Sequence, residues 1–220
     1  MVCPDNFWQQ ARGIIFGGAL GLIVLVAPVS SIALWLSVFL LILFAITLWS
    51  AESLADRVNR LGWTLLGGLY IGLLVPQVAV LFAQDDGRAW VTFVFLVVMA
   101  GDSSAYFIGR RFGARKLAPE LSPGKTVEGA FAYVIGSLVI GVITAVLLVL
   151  PVTMFVAATL ALIMSLLGQL GDLFESLIKR AFAVKDSGEL LPGHGGVLDR
   201  LDSLIFPVVF ATFYLKVIHS

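Results

Sequence analysis

Long apolar runs separated by short polar stretches set the pattern of this chain. The runs fall at about 13–28, 31–49, 61–83, 90–109, 126–150, 151–173 and 201–218. A helix crosses a bilayer with roughly 20 apolar residues, so the pattern predicts about seven transmembrane helices. The run at 13–28 is short for a complete span. The runs at 126–150 and 151–173 are divided mainly by Leu150 and Pro151. Proline suits a helix start, so this break predicts a tight helical hairpin. The expected fold class is all-α, a polytopic membrane protein with a polar site at the cytoplasmic face. Glycines inside the runs (Gly17, Gly18, Gly21, Gly67, Gly68, Gly72, Gly136 and Gly141) are expected to let helices approach closely in lipid. No internal repeat is evident.

Composition supports the membrane assignment. The 220 residues are 60% hydrophobic and 13% charged, and mean hydropathy is +1.03. A soluble domain is about a quarter charged. The formal net charge is zero, which argues against a nucleic-acid partner. Cys3 is the single cysteine, so an intrachain disulfide and a cysteine-based metal site are both excluded. Only Asp5 and Arg12 are charged in the first twelve residues, a poor n-region for a cleaved signal. The first apolar segment is expected to be retained.

Cation placement then orients the helices. With seven spans and an inner N-terminus, twelve of the fourteen lysines and arginines fall inside, and only Arg88 and Lys216 fall outside. The polar stretches 110–125 and 176–200 then share the cytoplasmic side, where nucleotides are found.

The most polar segment runs from Ser176 to Asp202, SLIKRAFAVKDSGELLPGHGGVLDRLD. It brings cations, carboxylates and flexible backbone together where two apolar segments end. That combination suits a metal–phosphate site, with carboxylates on the cation and Lys or Arg on phosphate oxygens. Asp102 lies within an apolar run, about seven residues before the polar stretch, hence roughly 10 Å below that end. A carboxylate there costs about 2.5–3.5 kcal/mol and needs a partner, a cavity or a metal. The plain alternative is a structural, hydrogen-bonded acid. Ser165, Gln169, Asp172 and Ser176 share a helical face, with Glu175 about one turn beyond Asp172. Asp199 and Asp202 also share a face, with Arg200 turned aside. Bringing Asp172 to ~4 Å from Asp199 would cost about 4 kcal/mol of repulsion. A divalent cation removes that cost, and oxygen-only ligands favour Mg²⁺ over zinc. The alternative is that these acids pair with Lys179, Arg180 and Arg200.

His194 lies between Gly193 and Gly195, with Gly196 following. Zinc is disfavoured, because the only other histidine is His219. A hydrogen-bonding or proton-shuttling role fits better, and the glycines let backbone N–H groups approach phosphate. SPGKT, from Ser122 to Thr126, imitates the end of a P-loop. It fails, because Pro119 stands where the first glycine is required and no buried strand precedes it. Lys125 still stands at a helix mouth, where lysine and free N–H groups can hold phosphate.

Ser176, Lys179-Arg180, Lys185-Asp186, Gly188, Pro192, His194-Gly195-Gly196, Asp199-Arg200 and Asp202, at these spacings, resemble the signature of the phosphatidate cytidylyltransferase (CDP-diacylglycerol synthase) family. GDSSAYFIGRRFG at 101–113, KLAPELSPGKTVEG at 116–129 and LGQLGDLFES at 167–176 resemble further blocks of that family. About three spans precede these blocks, fewer than is usual in the family. The resemblance implies N-terminal membrane helices over 1–89 and a catalytic membrane domain over 90–220. It implies the reaction CTP + phosphatidate → CDP-diacylglycerol + diphosphate. Asp172 and Asp199 would hold metal, with Asp202 beside them, as Mg²⁺ with room for a second ion. Lys125, Lys179, Arg180, Lys185 and Arg200 would hold phosphates, with His194 as a further catalytic candidate. Ser122, Thr126, Asp102, Asp186, Gly195 and Gly196 are the substrate-binding candidates. The implied partners are CTP, phosphatidate and membrane lipid, without nucleic acid and with room for a homodimer. The implied location is the cytoplasmic (inner) membrane, with the active site facing the cytoplasm.

Two rival readings use the same residues. A CTP-dependent polyprenol kinase or a CDP-archaeol synthase would also join a nucleotide to a membrane lipid. An ion or metabolite transporter would use Asp102 and Asp172 as embedded ligands, but it favours paired repeats and broken helices. Here the polar residues gather at one face, which fits an enzyme better. The cation bias predicts that reporters fused after Lys116 or Glu189 read cytoplasmic and that one fused after Ser220 reads external. An external signal at 176–200 would overturn the orientation.

Overall fold

The computed structural model describes residues 4–50, 52–184 and 198–218. Their contacts form two compact units, Met1–Val80 and Leu81–Ser220. The first unit holds α1 (Pro4–Val26), α2 (Val29–Leu48), α3 (Leu54–Leu69) and a π-helical turn at Tyr70–Leu74. Helix α4 (Gln77–Phe82) crosses the boundary between the units. The second unit continues with α5 (Gly87–Phe112), strands β1 (Lys116–Ala118) and β2 (Ser122–Thr126), then α6 (Val127–Leu147), α7 (Met154–Ala181) and α8 (Leu198–Ile218). Among the described residues six helical segments are long and apolar enough to cross a membrane. Leu54–Phe82 counts as one of them, and Gly13–Val26 is a shorter apolar helix. The all-α polytopic class stands, and the first run is the short one.

In the first unit α1 packs on α3 and the π turn. A Cβ at Gly72 would lie 2.5 Å from the Gly17 carbonyl oxygen, and one at Gly68 would meet the Phe16 ring. Gly18 and Gly67 differ from expectation, because a Cβ on either meets nothing within 4 Å among the described residues.

The second unit is built on a stripe along α5. Trp90, Phe93, Val94, Val97 and Val98 are buried and recur at helical spacing. They pack with Ala157, Leu160, Ala161 and Met164 of α7 and with Val208, Ala211 and Leu215 of α8. Gly141 of α6 completes the contact, because a Cβ there would lie 2.5 Å from Ala161 Cβ. Lipid is as apolar as leucine, so close packing rather than escape from water holds these helices together.

Three boundaries depart from the apolar pattern. Helix α6 stops at Leu147 and α7 starts at Met154. Thr153, not Pro151, sets that start, because its hydroxyl accepts from the Val156 N–H at 3.3 Å. Helix α7 then runs eight residues past 173, to Ala181. No glycine or proline interrupts it there, Glu175 and Lys179 pair at i, i+4, and Lys179 and Arg180 suit the negative end of the helix dipole. Helix α5 reaches Phe112, so Asp102 lies ten residues below its end, about 15 Å rather than 10 Å. The stretch 110–125, expected as a loop, contains the antiparallel hairpin β1–β2, with Lys116 opposite Thr126 and Ala118 opposite Ser122.

The Gly141 contact generates a stability test. Gly141→Ala forces a methyl into Ala161 and should destabilise the protein by about 1–3 kcal/mol. Gly67→Ala, in open space within a helix, should be neutral or stabilising. Thermal unfolding of both variants in detergent checks the contrast, and equal melting temperatures would remove the packing role of Gly141.

Candidate active site

Antiparallel succession brings four helix ends to one side of the second unit. They are the C-terminal ends of α5 and α7 and the N-terminal ends of α6 and α8. Their polar residues join across the chain. Arg180 Nε donates to the Leu121 carbonyl at 3.2 Å, tying α7 to the hairpin. Ser203 Oγ donates to Asp102 Oδ2 at 3.3 Å, tying α8 to α5. Glu128 in the first turn of α6 accepts from the Ala114 and Arg115 N–H groups at 3.1 and 3.3 Å. That contact fixes where the chain leaves α5 to form the hairpin.

A cavity of about 520 Å³ opens among these elements. Asp102, Tyr106 and Gly109 of α5, Lys125 of β2, Gly129 of α6 and Asp172 of α7 wall it. The three α5 residues share one helical face at i, i+4 and i+7. Thr126 also lines the cavity, and its Oγ1 caps α6 by accepting from the Gly129 N–H at 3.1 Å. A Cβ at Gly109 would lie 3.0 Å from that Oγ1, so glycine lets α6 start against α5. Arg110, Gly124 and Gln169 also line it. Ser122 sits at the other end of β2 from Gly124, Lys125 and Thr126, and so stands apart from the wall.

Lys125 Nζ meets Asp172 Oδ2 at 2.6 Å, with side-chain exposures of 24% and 31%. Both side chains are partly exposed. A second ionic group lies along α7. Lys179 Nζ bridges Glu175 Oε2 at 2.9 Å and Asp199 Oδ1 at 2.8 Å, joining α7 to the first turn of α8. Asp202 is buried, and its Oδ1 accepts from the Ser203 N–H at 2.6 Å. Glu175 lies against Asp202, and its Oε1 has no hydrogen-bond partner among the described residues. Asp172 is close enough to act electrostatically on both Asp102 and Asp202. Gly171 permits this assembly, because a Cβ there would lie 2.3 Å from the Asp202 carbonyl oxygen.

The sequence-derived residues are therefore only partly gathered. Asp102, Lys125, Thr126 and Asp172 share the cavity. Lys179 and Asp199 form the neighbouring ion pair, Asp202 is buried beside it, and Arg200 is turned out to solvent as its spacing predicts. Lys185, Asp186, His194, Gly195 and Gly196 lie outside the described residues. Asp172 and Asp199 are held by different lysines, Lys125 and Lys179. Among the described residues no three His, Cys, Asp or Glu side chains form a ready metal-binding group. The repulsion expected between Asp172 and Asp199 is met by lysines here, because an ammonium also relieves it.

Glu175 and Tyr133 are absent from the sequence-derived set. Glu175 was legible as the next polar position along the Asp172 face. Tyr133 carried no local signal, since an aromatic residue in an apolar helix is ordinary. Glu128 was legible only as an acid in a first turn.

Residues 8–218 match the sequence profile described as the cytidylyltransferase family. The chain is 40% identical over 158 residues to a phosphatidate cytidylyltransferase of Bacillus subtilis, covering 71% of this chain and 59% of that protein. It is 45% identical over 123 residues to one of Staphylococcus saprophyticus, covering 56% and 47% of the two chains. It is 43% identical over 145 residues to one of Brucella abortus, covering 66% and 53% of the two chains. The chain thus spans about half the length of these relatives.

The ion pair at the cavity wall predicts the behaviour of Lys125. Lys125→Ala leaves Asp172 unpaired at a half-exposed site and should cost about 1 kcal/mol of stability. Lys125→Arg keeps the charge with different geometry and should recover part of that loss. Equal melting temperatures for the wild type and Lys125→Ala, measured without ligand, would show that the pair contributes nothing at rest.

Proposed function

We propose, because the chain belongs to the cytidylyltransferase family, that it transfers the cytidylyl group of CTP to the phosphate of phosphatidate. A lipid phosphate oxygen attacks the α-phosphorus of CTP. A new P–O–P bond forms, the α–β P–O bond breaks, and diphosphate leaves with that electron pair. CDP-diacylglycerol is the lipid product. The observation that carries this reading is the Lys125–Asp172 pair in the wall of a cavity at the polar ends of apolar helices. A lipid phosphate and a water-borne nucleotide can both reach such a place.

The chemistry needs positioning and charge neutralisation more than covalent catalysis. The attacking phosphate is already largely ionised at neutral pH, so a strong base is unnecessary. Lys125, at the mouth of α6, would hold a phosphate oxygen as a point charge. Lys179 and Arg180, in the last turn of α7, would hold phosphates arriving beside it, with Arg200 at the start of α8. In this reading Asp102 and Thr126 shape the floor and wall of the pocket. The signature residues Lys185, Asp186, His194, Gly195 and Gly196 are assigned to the same site by the resemblance, as is Ser122.

Mg²⁺ fits the donor chemistry. Asp102, Asp172, Glu175, Asp199 and Asp202 supply oxygen ligands only, and among the described residues the buried Glu175 Oε1 lacks a donor. When bound, the ion would neutralise charge on the phosphate oxygens. Asp172, Asp199 and Asp202 are the residues proposed to hold it. The active side is assigned to the cytoplasm and the protein to the inner membrane, following the cation bias and the place where CTP is found.

Purified protein should convert CTP and phosphatidate to CDP-diacylglycerol, and a panel of polyprenol and archaeal lipids should be poorer acceptors. Turnover of a polyprenol in preference to phosphatidate would overturn the substrate. Asp172→Asn and Asp199→Asn should each remove most turnover, and the double variant should be little worse, because residues acting as a unit are not additive. Activity against Mg²⁺ concentration is the measurement. Wild-type activity and Mg²⁺ dependence in either single variant would remove that residue from the metal set.

A further inference from the structure

Tyr133 lies on α6 one turn below Gly129, and only 3% of its surface is exposed. Two glycines make room for it. A Cβ at Gly101 of α5 would lie 2.3 Å from its ring, and one at Gly168 of α7 would lie 2.5 Å from its hydroxyl oxygen. The side chain therefore crosses from α6 to the α7 face that carries Asp172 one turn on. Its Oη is buried and has no hydrogen-bond partner among the described residues. Asp102, Asp172 and Asp202 are all near enough to act on it electrostatically. The Ser203 carbonyl reaches the same gap, 3.2 Å from a Cβ at Gly168. Pro207, four residues on, has no N–H to bond that carbonyl.

An unpaired buried hydroxyl is destabilising, and phenylalanine would fill the same space without it. A donor kept idle within electrostatic reach of three carboxylates has a use when one of them loses its partner. We propose that Tyr133 is a positioning residue, whose hydroxyl donates to Asp172 when a substrate phosphate draws Lys125 away. This rests on the cytidylyl-transfer reading, which brings phosphate to Lys125. The hydroxyl acts through Asp172 rather than on substrate, so it holds the carboxylate in place during turnover and leaves nucleotide capture at the mouth unaffected.

Tyr133→Phe removes the oxygen alone. The variant should lose about tenfold or more in kcat, as expected for a hydrogen bond to a charged group. KM for CTP should stay within about twofold of wild type. Without ligand, its melting temperature should hold or rise. Gly168→Ala, which drives a methyl into the hydroxyl, should lower kcat similarly. The double variant should be no worse than Gly168→Ala, because phenylalanine removes the 2.5 Å clash and leaves the methyl only the Ser203 carbonyl at 3.2 Å and the ring carbon at 3.4 Å. A wild-type kcat for Tyr133→Phe would overturn the proposal, as would a lower melting temperature, which would show the hydroxyl paired at rest. Inactive wild-type protein would bring down the reaction itself and this role with it. An active wild type beside an equally active Tyr133→Phe brings down only the role of Tyr133.

Discussion

A charge placed among apolar helices has to be met by the protein, because lipid offers no hydrogen bonds. That constraint organises the second unit. Asp102, Asp172, Glu175 and Asp202 all project from helices whose other residues are mostly apolar. Each finds a protein partner: Asp102 the Ser203 hydroxyl, Asp172 Lys125, Glu175 Lys179, and Asp202 a backbone N–H. These partners come from α7, α8 and the hairpin, and the two that cross elements, Ser203 to Asp102 and Lys125 to Asp172, also fix how those elements meet.

Close backbone approach makes the meeting possible. Gly171 admits the Asp202 carbonyl, Gly101 admits the Tyr133 ring, and Gly109 admits Thr126. A methyl at any of these positions would push the helices apart and stretch the polar contacts. Toward the other end of the same helices the packing is apolar, from Trp90 to Val98 against Ala157 to Met164. One bundle thus has a dry, interlocked end that resists rearrangement and a polar end that can exchange partners. The lysines at the polar end are already aimed by carboxylates, an arrangement that needs little reorganisation when another anion arrives.

The placement also suits joining two unlike molecules. On the proposed reading, a cavity among helix ends meets both water and the level of the lipid phosphates. On the proposed reading, the nucleotide enters from water and the lipid from the bilayer plane, and neither must cross the apolar interior. The hairpin β1–β2 contributes Lys125 to the cavity, while α5 and α7 contribute the carboxylates Asp102 and Asp172.

Much of this was legible in the residues themselves. The apolar runs determined the helices, because roughly 20 apolar residues without charge have no other stable arrangement in lipid. The family blocks pointed to Asp102, Lys125, Asp172, Lys179 and Asp199 as one polar end, and helical spacing turned Arg200 outward. Boundaries were less legible, because caps and ion pairs decide them: Thr153 starts α7, and the Glu175–Lys179 pair carries it on. The hairpin at 116–126 was hidden, since its strands are short and mostly exposed and carry no alternating pattern. Partner choice was decided only by the tertiary structure. Whether Asp172 meets Asp199 or Lys125 depends on where separate helices end in space, and a one-dimensional pattern holds no distance between them. The buried hydroxyl of Tyr133 belongs to the same class: its position is set by gaps at Gly101 and Gly168, on two other helices, and those gaps exist only once the helices have packed.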